Sequence, residues 1–137
     1  MLQVGLKVTF ELVEGKTTVG QIVNFAGAKK QAVVRTSNNQ IWNVPVGQLT
    51  VSEELTRFTY LDAFRSMTIM ANSIRDWEQK RDQGLPYVGL PACRDRYEQA
   101  DALTRRIEAW AGSVGYALPE YEEVQRYCNG GFGVSSK

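Results

Sequence analysis

From Val4 to Leu12 apolar and polar side chains alternate without a break, with Val4, Leu6, Val8, Phe10 and Leu12 on one side and Gln3, Lys7, Thr9 and Glu11 on the other. A period of two is the mark of a half-buried β-strand. Glu14-Gly15-Lys16 turns the chain into a second β-branched run, residues 17–25, where Gly20 interrupts the alternation and marks a candidate bulge. Residues 26–30 connect to a third strand over 31–36. Ser37-Asn38-Asn39 is a tight turn whose asparagines tolerate positive φ, and residues 40–44 form a fourth strand. Pro45 has no N–H to give to a ladder, so it ends that strand and opens a one-turn corner before a short fifth strand at 48–51.

Near residue 52 the period changes. Leu55, Phe58, Leu61, Phe64, Met67, Met70, Ile74 and Trp77 recur every three or four residues and draw one apolar stripe along a long helix. Two starts are open: Ser52 as cap with Glu53 and Glu54 behind it, or a later one at Thr59 with Asp62. Lys80 and Arg81 suit the last turn, and Gly84 ahead of Pro86 suits a left-handed stop. A second helix begins at Pro91, carries Cys93, Tyr97, Ala100, Leu103, Ile107 and Trp110, and stops at Gly112. A third, shorter helix starts at Pro119 and uses Tyr121, Val124 and Cys128. The expected architecture is α+β: a five-stranded antiparallel β-barrel at residues 1–52, an α-helical hairpin plus short third helix at 53–128 packed on it, and a flexible glycine- and serine-rich tail at 129–137.

The order Val4-Gly5-x-x-Val8-x-Phe10, Val19-Gly20-x-x-Val23-x-Phe25, Ala32-Val33-Val34, Trp42-x-Val44-Pro45 and Leu49 resembles an SH3-like small barrel of the KOW or Tudor type. It is also similar to the small barrels that accompany some bacterial SprT-like proteins. The resemblance covers residues 1–52 and implies the barrel fold; small barrels host many unrelated functions, so it implies no activity. The helical remainder resembles no family.

Absences narrow the chemistry. The chain has no histidine, which rules out Ser-His-Asp, Cys-His and HExxH arrangements, and with them the peptidase chemistry of the SprT-like proteins. Glu120, Glu122 and Glu123 fall at the start of the third helix, where stabilising the helix dipole explains them. Gly130-Gly131-Phe132-Gly133 lacks the strand and helix that would make it a phosphate loop. Cys93 and Cys128 read as free buried thiols rather than a disulfide or zinc pair. A non-enzymatic protein without metal or cofactor is expected. No apolar run follows Met1, and no stretch approaches the roughly 20 apolar residues of a membrane span, so the expected setting is cytoplasmic, with no membrane partner. Its 43 % hydrophobic residues suffice for a core.

Charge points to binding. The chain is nearly neutral at +1, yet residues 1–52 carry +3 and the remainder −2. Asn24, Phe25, Lys29, Lys30, Arg35 and Trp42 combine cations with aromatics on neighbouring strands, which is what phosphate contact and base stacking require. Plainer roles compete: turn lysines protect sheet edges, and Trp42 is a candidate plug for the barrel core. The rival expectation is a protein-interaction surface on the helices at Arg65, Arg75, Tyr87, Arg94 and Arg105, as in an assembly subunit or an inhibitor of a larger complex. The partner is accordingly nucleic acid or a protein complex, and the oligomeric state is open.

Overall fold

A computed structural model of the chain describes residues 2–130. Five strands, β1 (Lys7–Val13), β2 (Lys16–Ala26), β3 (Gln31–Thr36), β4 (Ile41–Pro45) and β5 (Thr50–Val51), precede three helices, α1 (Glu53–Asp82), α2 (Leu90–Val114) and α3 (Tyr121–Gly130). The strands form one antiparallel sheet in the order β4-β3-β2-β1-β5. Pro45 ends β4, and a single 3₁₀ turn, Val46–Gln48, supplies the corner before β5.

The sheet does not close into the expected barrel. β5 is two residues long and bonds back to β1 at Val8 and Thr9, which leaves β4 and β5 as two edges not joined to each other among the described residues. A barrel needs an unbroken ladder around its circumference, and a two-residue strand cannot carry it.

Alternation is broken twice, at neither place by Gly20. One bulge lies between Glu11 and Val13, so Leu12 leaves the buried face and is 40 % exposed instead of continuing the row of Leu6, Val8 and Phe10. The other lies between Ile22 and Asn24. Gly20 pairs in register with Val8 and Thr36, and a Cβ there would meet the Val34 side chain and lie 3.0 Å from the Arg35 carbonyl oxygen. Its role is close backbone approach.

The chain folds as two compact units. One holds the chain up to Thr59 together with Arg106–Ala117, and the other holds Tyr60–Arg105 and the chain from Leu118 on. In the first, Leu6, Val8, Ile22, Ala32, Val34 and Val44 of the sheet are buried, as are Ile107, Trp110 and Ala111 of α2. In the second, the ion pair from Arg94 to Glu78, at 2.9 Å, ties the two arms of an α1–α2 hairpin. Gly89 meets the Trp77 indole so closely that a Cβ would sit 2.5 Å from the ring.

Helix ends follow local chemistry. Ser52 caps α1 through its Oγ, which accepts the Leu55 N–H at 3.3 Å, so the earlier of the two starts holds. At the other end Gly84 has φ 76°, the Leu85 N–H bonds the Lys80 carbonyl and the Gly84 N–H bonds the Arg81 carbonyl, a Schellman stop. α2 runs past Gly112; its left-handed residue is Gly115, φ 74°, with the Tyr116 N–H on the Ala111 carbonyl. Phe58 and Tyr121 are exposed rather than part of the apolar stripes. Asn129 and Gly130 belong to α3, and the rest of the expected tail, residues 131–137, lies outside the described residues.

Candidate nucleic-acid interface

The β2–β3 hairpin is where most of the candidate residues meet. The bulge at Val23 lets Ile22 face Val34 and Phe25 face Ala32, so Phe25 returns to the side of the sheet that carries the buried residues. Without the extra residue, strict alternation would put Asn24 there. The side chain of Asn24 holds the kink, its Oδ1 accepting the Phe25 N–H at 2.8 Å. Beyond Ala26 the Lys30 N–H bonds the Gly27 carbonyl at 3.1 Å, and the two central residues of this turn, Ala28 (φ 58°) and Lys29 (φ 68°), are both left-handed. This is a type I′ geometry that glycine and asparagine normally occupy. Holding alanine and lysine there costs roughly 1 kcal/mol or more each.

The turn delivers Lys29 to a groove of about 370 Å³ lined by Leu2, Gln3, Val4, Phe25, Lys29, Val46 and Arg106. Arg106 arrives from α2. Its Nε donates to the Val4 carbonyl oxygen at 2.9 Å across 102 positions of sequence, which fixes the guanidinium at the groove wall and leaves its Nη groups able to donate to a ligand. Half-buried Phe25 supplies an aromatic surface in the same lining as the two cations, and the unit that contains the groove has seven basic and five acidic side chains. A larger, open concavity of about 610 Å³ near the β1–β2 turn includes Glu11 and Glu14 in its lining and is electrostatically unsuited to phosphate.

No protein-family model matches the chain, and none of the curated proteins matches it in sequence.

The other expected contacts separate. Lys30 is exposed beside Lys29, and its carbonyl accepts the Val46 N–H at 3.0 Å. Arg35 pairs with Gln21, which pairs with Lys7; the three form a row on the opposite face of the sheet from Phe25, along a shallow depression of about 170 Å³. Trp42 lies opposite Val34 on β4 but is 37 % exposed, because β4 is an edge strand; it does not plug a closed core. Sequence pattern does not single out Arg106, since only the fold brings it to residues 2–4.

In the helical unit, Arg94 pairs with Glu78, Arg105 with Asp101 at 3.2 Å, and Arg75 bonds Asn72 at 3.4 Å, while Arg65 is half-buried. Tyr87 is exposed on the α1–α2 connector, beside Pro86, Val88 and Pro91 around an open apolar cleft of about 340 Å³. Both cysteines are free, Cys128 buried and Cys93 half-buried. Glu122 and Glu123 occupy the first turn of α3, as expected for dipole stabilisation. Among the described residues no three acidic or cysteine side chains gather closely enough to hold a metal ion, and no helix is long and apolar enough to cross a membrane.

Proposed function

We propose that the protein is a non-catalytic module that binds nucleic acid, with single strands preferred, through the Phe25–Lys29–Arg106 groove. The observation that carries this reading is the convergence of one aromatic ring and two cations, from the β2–β3 hairpin and from α2, on one concave site. An unstacked base offers a π-face to Phe25, while Lys29 and Arg106 meet the flanking phosphates; duplex DNA keeps its bases stacked and offers only the phosphates. Lys30, exposed on the same turn, adds a further cation outside the groove.

The test is a salt titration of binding to short single- and double-stranded oligonucleotides. Deleting one cation that meets a phosphate should flatten the log–log slope by roughly 0.7 unit on single strands, so Lys29→Ala with Lys30→Ala should flatten it by about 1.4. Phe25→Ala should cost about 1–3 kcal/mol of affinity while leaving the slope unchanged, because stacking releases no counterions. No binding by the wild type at low salt would end this reading.

One observation favours a second reading, a protein partner held by the helical unit. Leu85, Tyr87 and Val88 are exposed together at the connector, Val88 at 85 %. In that case Tyr87→Ser with Val88→Ser should weaken capture of the partner, and the lysine substitutions should leave it intact.

A further inference from the structure

The outer edge of β4 has the geometry to pair with itself. Antiparallel ladders alternate between residues that bond their neighbour and residues whose N–H and C=O point away. The Thr36 N–H bonds the Gln40 carbonyl and the Val46 N–H bonds the Lys30 carbonyl, which with the β3–β4 register makes Val34/Trp42 and Ala32/Val44 the bonded pairs. Ile41 and Asn43 therefore turn their N–H and C=O groups outward, on either side of Trp42. Pro45, next in that series, has no N–H to offer.

We infer that a second copy of this chain docks on this edge, β4 against β4 antiparallel, about a twofold axis at Trp42. In this register Ile41 of each copy lies opposite Asn43 of the other, and four hydrogen bonds form. Neighbouring registers are less favourable. Centring on Asn43 also allows four hydrogen bonds, but it sets Ile41 against Pro45, which has no N–H for the Ile41 carbonyl, and it sets Trp42 against Val44 instead of a second Trp42; centring on Ile41 sets Asn43 against Asn39, whose φ of 68° takes it out of the strand. Trp42 then meets Trp42 of the second copy at a non-bonded position, where opposed side chains come closest and aromatic pairs are favourable.

Charge supports the same choice. Residues 40–46 contain no charged side chain, Ile41 is 51 % exposed and Trp42 37 %. Edges that must stay single usually carry charges. The turn end of β1 has them, Glu11 and Glu14, and the opposite edge strand β5 is only two residues long and runs directly into α1, so pairing closes at two copies and does not propagate. An edge of this length buries less than the roughly 1,200 Å² of a stable interface, so the dimer is weak, with a dissociation constant on the order of micromolar or higher.

Sedimentation equilibrium over a wide concentration range should show a reversible monomer–dimer equilibrium. Ile41→Pro removes only an outward N–H and should raise the dissociation constant roughly tenfold or more. A covalent test covers the case in which that variant misfolds. In a Cys93→Ser, Cys128→Ala background, Trp42→Cys should give an intermolecular disulfide under mild oxidation, because its position meets itself at about 4.5 Å between Cα atoms. Asn43→Cys, which faces Ile41, should not. A wild type that stays monomeric at every concentration, a dimer in which Trp42→Cys fails to cross-link, or equal cross-linking at both positions would overturn the proposal. Lys29→Ala with Lys30→Ala should dimerise like the wild type, which keeps this test separate from that of nucleic-acid binding.

Discussion

At Ala28 and Lys29 the backbone is held where a side chain is disfavoured, and the charged one of the two is the residue that reaches the groove. Strain of this kind persists where the neighbouring structure imposes it, here the paired ends of β2 and β3 at Ala26 and Gln31. Lys29→Gly relieves it and deletes the cation at once. The variant should gain about 1 kcal/mol of stability, read as a higher midpoint in thermal unfolding, while losing oligonucleotide affinity and salt dependence. A loss of stability would mean that Lys29 contributes more to holding the turn than its conformation takes away. Of the candidate site, Phe25 and Lys29 were legible in the sequence because they are close neighbours on one hairpin. Arg106 was not: nothing local distinguishes it from the other arginines of α2, and its role comes from a hydrogen bond to Val4.

At the scale of elements, short-range chemistry sets the ends and long-range pairing sets the faces. Ser52 and Gly84 bound α1 as their side chains dictate, an oxygen to cap one end and no Cβ to obstruct the left-handed stop. Gly112 is the stop that the sequence pattern marks, but α2 runs on to Val114 and the left-handed residue is Gly115. The connector between α1 and α2 is held by the contact of Gly89 with Trp77, over whose ring the Lys80 ammonium sits at 4.6 Å. Gly89→Ala pushes a methyl group into the indole and should destabilise the protein by about 1–3 kcal/mol. Urea unfolding monitored by tryptophan fluorescence measures the loss; an unchanged midpoint would show that the connector moves aside freely.

For the whole molecule, the sheet is not a separable domain in sequence. Its unit also contains Arg106–Ala117, with Ile107, Trp110 and Ala111 buried and the Arg106 bond to Val4. A fragment ending at Thr59 lacks all of these. Removing three buried side chains, including a tryptophan, withdraws several kcal/mol from a fold whose total stability is of order 5–15 kcal/mol. The fragment should therefore show no cooperative thermal transition, in contrast to the full chain; a fragment that melts cooperatively near the full-length midpoint would show the sheet to be self-sufficient.

The strand pattern in residues 4–51 and the three-to-four spacing after residue 52 determined by themselves that five strands precede three helices, because both are properties of a few neighbouring residues. Caps and turn residues, Ser52, Gly84, Asn39 and Pro45, were readable for the same reason. Tertiary structure alone decided that the sheet stays open, that the second bulge falls at Val23 and returns Phe25 to the groove side, and that a segment of α2 completes the unit around the sheet. Closure, register and packing depend on which distant strands and side chains compete for one another, and that competition leaves no local period in the chain.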